Sequence, residues 1–194
     1  MECLSFAVGA LSTSVLVSAM AVTIASDSYR FWPPGDDALK FQLYRGCSLT
    51  FVLSFVVTGY LDWNAGPLPW PTSAVVGGGL FVIGMAIARE GGVDLGVAET
   101  RGQVGELQTD GVYRYSRNPQ TVGYAIVFVS GALLSNSILV AILAVFGVAW
   151  LFLAVLVEES WLREQYGEAY EDYFREVPRF VGLRSITRAR NEDE

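Results

Sequence analysis

Two adjacent acids, Glu158 and Glu159, close one apolar run, while Arg114, Arg117 and Asn118 crowd the start of another at Pro119. A helix N-terminus carries partial positive charge and prefers anions, so two arginines held beside one suggest an anionic group bound between them. Two carboxylates at the edge of an apolar run are unfavourable unless they meet water or a cation. Further on, Arg175 and Arg179 flank Val177 and Pro178, where either could reach an anionic acceptor from a membrane interface. Each set also has a plainer use, as topology-fixing arginines, a solvated helix end and headgroup anchors.

Composition narrows the chemistry. The chain has no histidine, which removes imidazole metal ligands and Ser-His or Cys-His nucleophiles. Cys3 and Cys47 lie in or beside apolar runs and offer neither a disulfide framework nor metal-ligand spacing, so no metal site is expected. A formal charge of −7 with Lys40 as the single lysine argues against nucleic acid as a partner.

The elements that must position these residues belong to an all-α membrane protein, because 52% of the residues are hydrophobic and several runs approach the length that crosses a bilayer. Five transmembrane helices are expected, at Cys3–Ala25, Gly46–Trp63, Thr72–Ala88, Asn118–Leu134 and Ile138–Val157, with Arg89–Arg117 as a polar loop. Pro119 suits the first turn of the fourth, where its missing N–H has no partner to lose. Ser135–Ser137 is so short a turn that helices four and five form an antiparallel hairpin. Gly77, Gly78, Gly79 and Gly84 offer the third helix a bare face for a neighbour. Tyr166, Tyr170 and Tyr173 recur at helical spacing after the acidic pair, so the C-terminal segment is amphipathic and can fold back on the hairpin. Residues 1–90 then form an N-terminal three-helix region, 91–180 the region with the chemistry, and 181–194 a polar tail.

All 13 cationic residues fall in the first loop, the third loop or the C-terminal region, and none falls in the other two turns. That asymmetry places the N-terminus outside and the C-terminus in the cytosol.

From Leu107 to Phe180 the chain resembles the integral-membrane methyltransferases typified by isoprenylcysteine carboxyl methyltransferase, with phospholipid methyltransferases as relatives. The likeness rests on four elements in order: Gly111 and Tyr113; Arg117, Pro119 and Gly123; Glu158 and Glu159; and Tyr166, Gly167, Tyr170, Tyr173, Val177 and Pro178. The pattern is departed from at Asn118, Thr121 and Ala154, where the family has histidine, tyrosine and, in the prenylcysteine enzymes, a substrate-binding arginine.

The resemblance implies an S-adenosyl-L-methionine-dependent enzyme that methylates a lipid or prenyl-lipid substrate in the bilayer, with its active site facing the cytosol. Leu107, Gln108, Tyr113, Arg117, Asn118, Pro119, Gly123 and Glu158 would bind the cofactor; Glu159, Arg175 and Arg179 would serve catalysis and the acceptor. O-methylation of a carboxylate is favoured, since a carboxylate is already ionised and needs no base. An NADPH-dependent membrane reductase and a scaffold that has lost catalysis are the other readings. Single cysteines at Asn136 and Asn191 are expected to react with an impermeant label from opposite sides of the membrane; labelling from one side would overturn the layout.

Overall fold

A computed structural model describes residues 1–26, 28–95 and 105–182. Asn191 and the rest of the tail from Arg184, like Glu99 and Arg101 in the polar loop, lie outside the described residues. Among those described there is no strand. The order is α1 (Glu2–Ala25), α2 (Ala38–Leu61), α3 (Trp70–Leu95), a 3-10 turn (Gly111–Arg114), α4 (Pro119–Ser135), α5 (Ile138–Tyr166) and α6 (Glu168–Glu176). Helices α1, α2, α3 and α5 are long and apolar enough to cross a membrane, whereas α4 is an apolar helix of 17 residues. The chain is a multi-pass membrane protein, and among the described residues four of the five expected spans meet that length.

Three boundaries differ from the sequence expectation. Helix α2 begins eight residues early because Asp37 caps it, accepting a hydrogen bond from the Lys40 backbone N–H at 3.1 Å. Helix α3 runs on through Arg89, Glu90 and Asp94, which the sequence assigns to a loop. Helix α5 continues to Tyr166, so Glu158 and Glu159 sit inside a 29-residue helix and not at its end.

The extension of α3 has a packing cause. Gly77, Gly84 and Gly91 recur every seven residues and are buried. A Cβ on them would lie 2.5 Å from the Leu134 backbone nitrogen, 2.9 Å from the Gly123 carbonyl oxygen and 2.8 Å from the Gln120 backbone nitrogen respectively. The glycines therefore form a seam along which the backbones of α3 and antiparallel α4 nearly touch, and dispersion along it outweighs the low helix propensity of glycine. Gly78 and Gly79, half of the predicted bare face, have nothing within 4 Å of an added Cβ. Gly123 belongs to the seam too, its Cβ position meeting the Ala88 backbone nitrogen.

Beside this pair, α1 packs on α2 and α5 around Leu16, Met20, Phe51, Phe55, Phe128 and Trp150. The cation-free end is tied by Asn136, in the left-handed region at φ 45°. Its side-chain amide donates to Asn64 Oδ1 at 2.8 Å and to the Leu68 carbonyl at 2.9 Å, and its Oδ1 accepts from the Leu68 N–H at 3.2 Å. Since Asn136 is only 2% exposed, exposed Ala65 beside it is the better label position for that end.

Gly123→Val is expected to lower stability by about 1–3 kcal/mol through overpacking of the seam, read as the thermal unfolding midpoint in detergent. Gly79→Ala is expected to leave that midpoint unchanged or raise it.

Candidate active site

The site is assembled at the opposite end, where the 3-10 turn leads into α4. Gly111 takes φ +58°, a conformation that favours glycine, and the Asp94 carboxylate fills the space where a side chain would be. Asp94 Oδ2 accepts the Val112 N–H at 3.0 Å, so the extension of α3 fixes this turn. Tyr113 is thereby buried, with its hydroxyl donating to the Gly91 carbonyl at 3.3 Å.

The segment after α6 is stitched to the same stretch. Tyr173 donates its hydroxyl hydrogen to the Tyr113 carbonyl at 2.8 Å, the Arg117 N–H donates to the Pro178 carbonyl at 3.0 Å, and the Asn118 side-chain amide donates to the Arg179 carbonyl at 3.0 Å. Burial holds the Tyr113 phenol well above its usual range, and the negative charges of Glu158 and Asp94 push it further up. Burial does the same for Tyr173. Both phenols therefore stay protonated at neutral pH and act as hydrogen-bond donors, not bases.

Glu158 and Glu159 have separate roles because consecutive residues on a helix point about 100° apart. Glu159, 2% exposed, turns to two arginines. Arg179 donates from Nε at 3.0 Å and Nη2 at 2.7 Å to Glu159 Oε2. Arg117 Nη2 lies 3.1 Å from Glu159 Oε1, close enough for ion pairing but not aligned as a hydrogen bond. The Arg117 guanidinium lies over the Phe174 ring at 3.9 Å, and that of Arg163 lies 4.4 Å from the same ring centre. Arg117 Nε and Nη1 are buried without a hydrogen-bond partner.

Glu158 turns instead to a cavity of about 240 Å³. Leu107, Gln108, Tyr113, Arg117 and Asn118 line one side, Trp150, Ala154 and Glu158 line it from α5, and Tyr170 and Tyr173 line it from α6. Six of the residues singled out for cofactor binding thus share one cavity: Leu107, Gln108, Tyr113, Arg117, Asn118 and Glu158. Pro119, at the first position of α4, and Gly123 do not line it. Glu159 and Arg179 border a different groove. Arg175 is exposed on α6, where Nη1 lies 3.2 Å from Asp172 Oδ1, and it does not line the cavity.

Sequence reasoning missed the far wall, made by Trp32 and Tyr44, whose rings stack at 3.9 Å, and by Trp150 at 5.9 Å from Tyr44. Trp150, Ala154 and Glu158 repeat at four-residue spacing on α5, a signal that could have placed Trp150 on the same face as the acid. The cavity therefore offers a guanidinium for an anion, and a carboxylate with aromatic faces for a cation.

Glu159→Ala removes the one carboxylate between two guanidiniums and leaves Arg117 buried without it. A loss of roughly 3–5 kcal/mol is expected, measured as thermal unfolding in detergent, whereas Asp172→Ala at the exposed Arg175 pair is expected to change little.

Comparison with known proteins supplies independent context for this geometry. The sequence profile described as phospholipid methyltransferase matches residues 72–169, just over half of the chain. A protein-S-isoprenylcysteine O-methyltransferase of Schizosaccharomyces pombe is 33% identical over 89 residues, which cover 45% of this chain and 37% of that protein. No solved structure matches. The profile spans the glycine seam, the 3-10 turn, the α4–α5 hairpin and the acidic pair, and the chain belongs to the phospholipid methyltransferase family.

Proposed function

We propose that the cavity binds S-adenosyl-L-methionine and that the protein transfers its methyl group to a lipid or prenyl-lipid acceptor at the cytosolic face of the membrane. The observation that carries this reading is Arg117, which lines the cavity and carries two buried guanidinium nitrogens lacking hydrogen-bond partners. An unpaired buried donor costs about 1–3 kcal/mol, a deficit that an anionic ligand group can offset. The donor set fits the cofactor: Arg117 suits its carboxylate, while Glu158 suits its cationic groups or a ribose hydroxyl. When bound, the cofactor supplies an electrophilic methyl group on a sulfonium.

The protein's own part is positioning and exclusion of water. Glu159 orients Arg117, with Arg179 completing the ion triad, so both act through another residue. Tyr113 and Tyr173 remain protonated and close the wall around the cavity. A depression of about 420 Å³, bordered by Thr121, Leu151, Phe152 and Phe180, shares Thr121 and Leu151 with the cavity and supports sideways entry of a lipid tail.

Carboxylate O-methylation is the favoured reaction, because an ionised acceptor needs no base, whereas an amine acceptor would have to lose its proton to Glu158, the buried phenols being unable to take it. Arg175 and Arg179, proposed from sequence as acceptor contacts, stand outside the cavity wall, so acceptor binding through either would require movement of the segment after α6. The cytosolic assignment rests on Arg30, Lys40, Arg89 and Arg117, which gather at the site's end of the helices.

A reductase is disfavoured, since the 2′-phosphate of NADPH needs a basic cluster and Arg117 is the one cation among the described residues lining the cavity. Equilibrium binding in detergent is expected to show affinity for S-adenosylhomocysteine and none for NADPH. Glu158→Ala is expected to weaken that binding by roughly 1.5–3 kcal/mol, as for a lost charge-assisted hydrogen bond. Unchanged affinity in a folded variant would remove Glu158 from the site.

A further inference from the structure

Across α5 from the cavity lies a larger groove of about 660 Å³, bounded by the end of α1, the α1–α2 connection, α5 and the segment after α6. Three arginines from separate parts of the chain line it: Arg30, Arg163 and Arg179. Each is fixed by one carboxylate. Arg30 Nη2 donates to both oxygens of Glu164 at 2.8 and 2.6 Å, Arg163 Nε donates to Glu171 at 2.9 Å, and Arg179 is held by Glu159. Their side chains remain 34%, 36% and 35% exposed, so all three guanidiniums are oriented yet still reachable.

Part of the lining is aliphatic, contributed by Ile24, Leu156 and Val157. Ile24 is the last large hydrophobic residue of α1, and Leu156 and Val157 are the last of the long apolar run of α5. The groove therefore sits where hydrocarbon gives way to headgroups, with guanidiniums above and acyl-compatible surface below. Glu159 and Glu164 also line it, so the described lining residues sum to three positive and two negative charges. Glu171, which holds Arg163 from outside the lining, brings the carboxylates to three, so the groove offers an anion three oriented and part-exposed guanidiniums and not an excess of charge.

We propose that this groove is a binding site for an anionic phospholipid, whose phosphodiester takes the free N–H groups of Arg30, Arg163 and Arg179 while a chain lies against Ile24 and Leu156. The bound lipid is not the methyl acceptor, because α5 and the Arg117–Glu159 pair stand between the groove and the cavity. If the cavity holds the cofactor as proposed above, the two sites are coupled, since Glu159 borders the groove and also orients Arg117.

The test uses the full chain in detergent, titrated with dioleoylphosphatidylglycerol, dioleoylphosphatidylcholine or inorganic phosphate. Binding is read by native mass spectrometry and by the shift in thermal midpoint. Phosphatidylglycerol is expected to bind at least tenfold tighter than phosphatidylcholine, and Arg30→Gln and Arg163→Gln are each expected to reduce that preference at least threefold. Arg30→Lys, which keeps the charge, is expected to retain most of it and so separates loss of the site from loss of the fold. Equal binding of the two lipids, or an unchanged preference in both glutamine variants, overturns the proposal. Saturation by inorganic phosphate at equal affinity overturns the lipid assignment. S-adenosylhomocysteine binding is measured in the same samples: its absence, with lipid preference intact, would strike the methyltransferase reading and leave this one standing.

Discussion

Glu159 has almost no contact with solvent, and it lies within ion-pairing distance of two guanidiniums from different parts of the chain. Burying the charges of Glu159 and Arg117 is unfavourable in itself, and they persist because each compensates the other while part-exposed Arg179 completes the pairing. The arrangement fixes three elements at one point: the start of α4 through Arg117, the last third of α5 through Glu159, and the segment after α6 through Arg179. Backbone hydrogen bonds from Arg117 and the side chain of Asn118 to the 178–179 carbonyls then follow. The cavity wall is a consequence of that junction, since Tyr113, Tyr170 and Tyr173 are carried on the segments it joins.

The glycine seam does a different job. By letting α3 and α4 approach to backbone contact, it brings Asp94 and Gly91 to the level of the 3-10 turn, where one receives the Val112 N–H and the other the Tyr113 hydroxyl. The turn's shape thus depends on α3 lasting a turn and a half beyond the arginine and glutamate at positions 89 and 90. Packing in the apolar part of the helix pair in this way determines polar geometry at its end.

How much of this could be read beforehand depended on the range of the interaction. Pro119 marked the start of α4 because its effect on φ and its missing N–H are local, and Ser135–Ser137 marked the hairpin because a three-residue turn leaves one arrangement. The grouping of Leu107, Gln108, Tyr113, Arg117, Asn118 and Glu158 came through the family likeness, not from spacing. What stayed illegible was tertiary. Nothing local distinguishes Glu158 from Glu159, and only the 100° step between neighbours sends one to the cavity and the other to Arg179. Nothing local separates Gly77 from Gly78 either; the seven-residue repeat with Gly84 and Gly91 becomes meaningful once α4 lies against it. Tyr44 reaches the cavity through the early start of α2, and Trp32 in the α1–α2 connection reaches it by stacking on Tyr44.

The length of α4 has one more consequence. At 17 residues it measures about 25 Å, while a bilayer's hydrocarbon core is about 30 Å thick. Its far end is tied through Asn136 to the α2–α3 turn, so the shortfall collects at the Asn118 end. A shortfall of this kind is a hydrophobic mismatch, which a bilayer meets by thinning or by drawing polar groups inward. A bilayer that answers by thinning would bring its surface toward Arg117, just ahead of α4. Thinning there would shorten the path from water to the cavity and hold a group anchored in lipid at the same level.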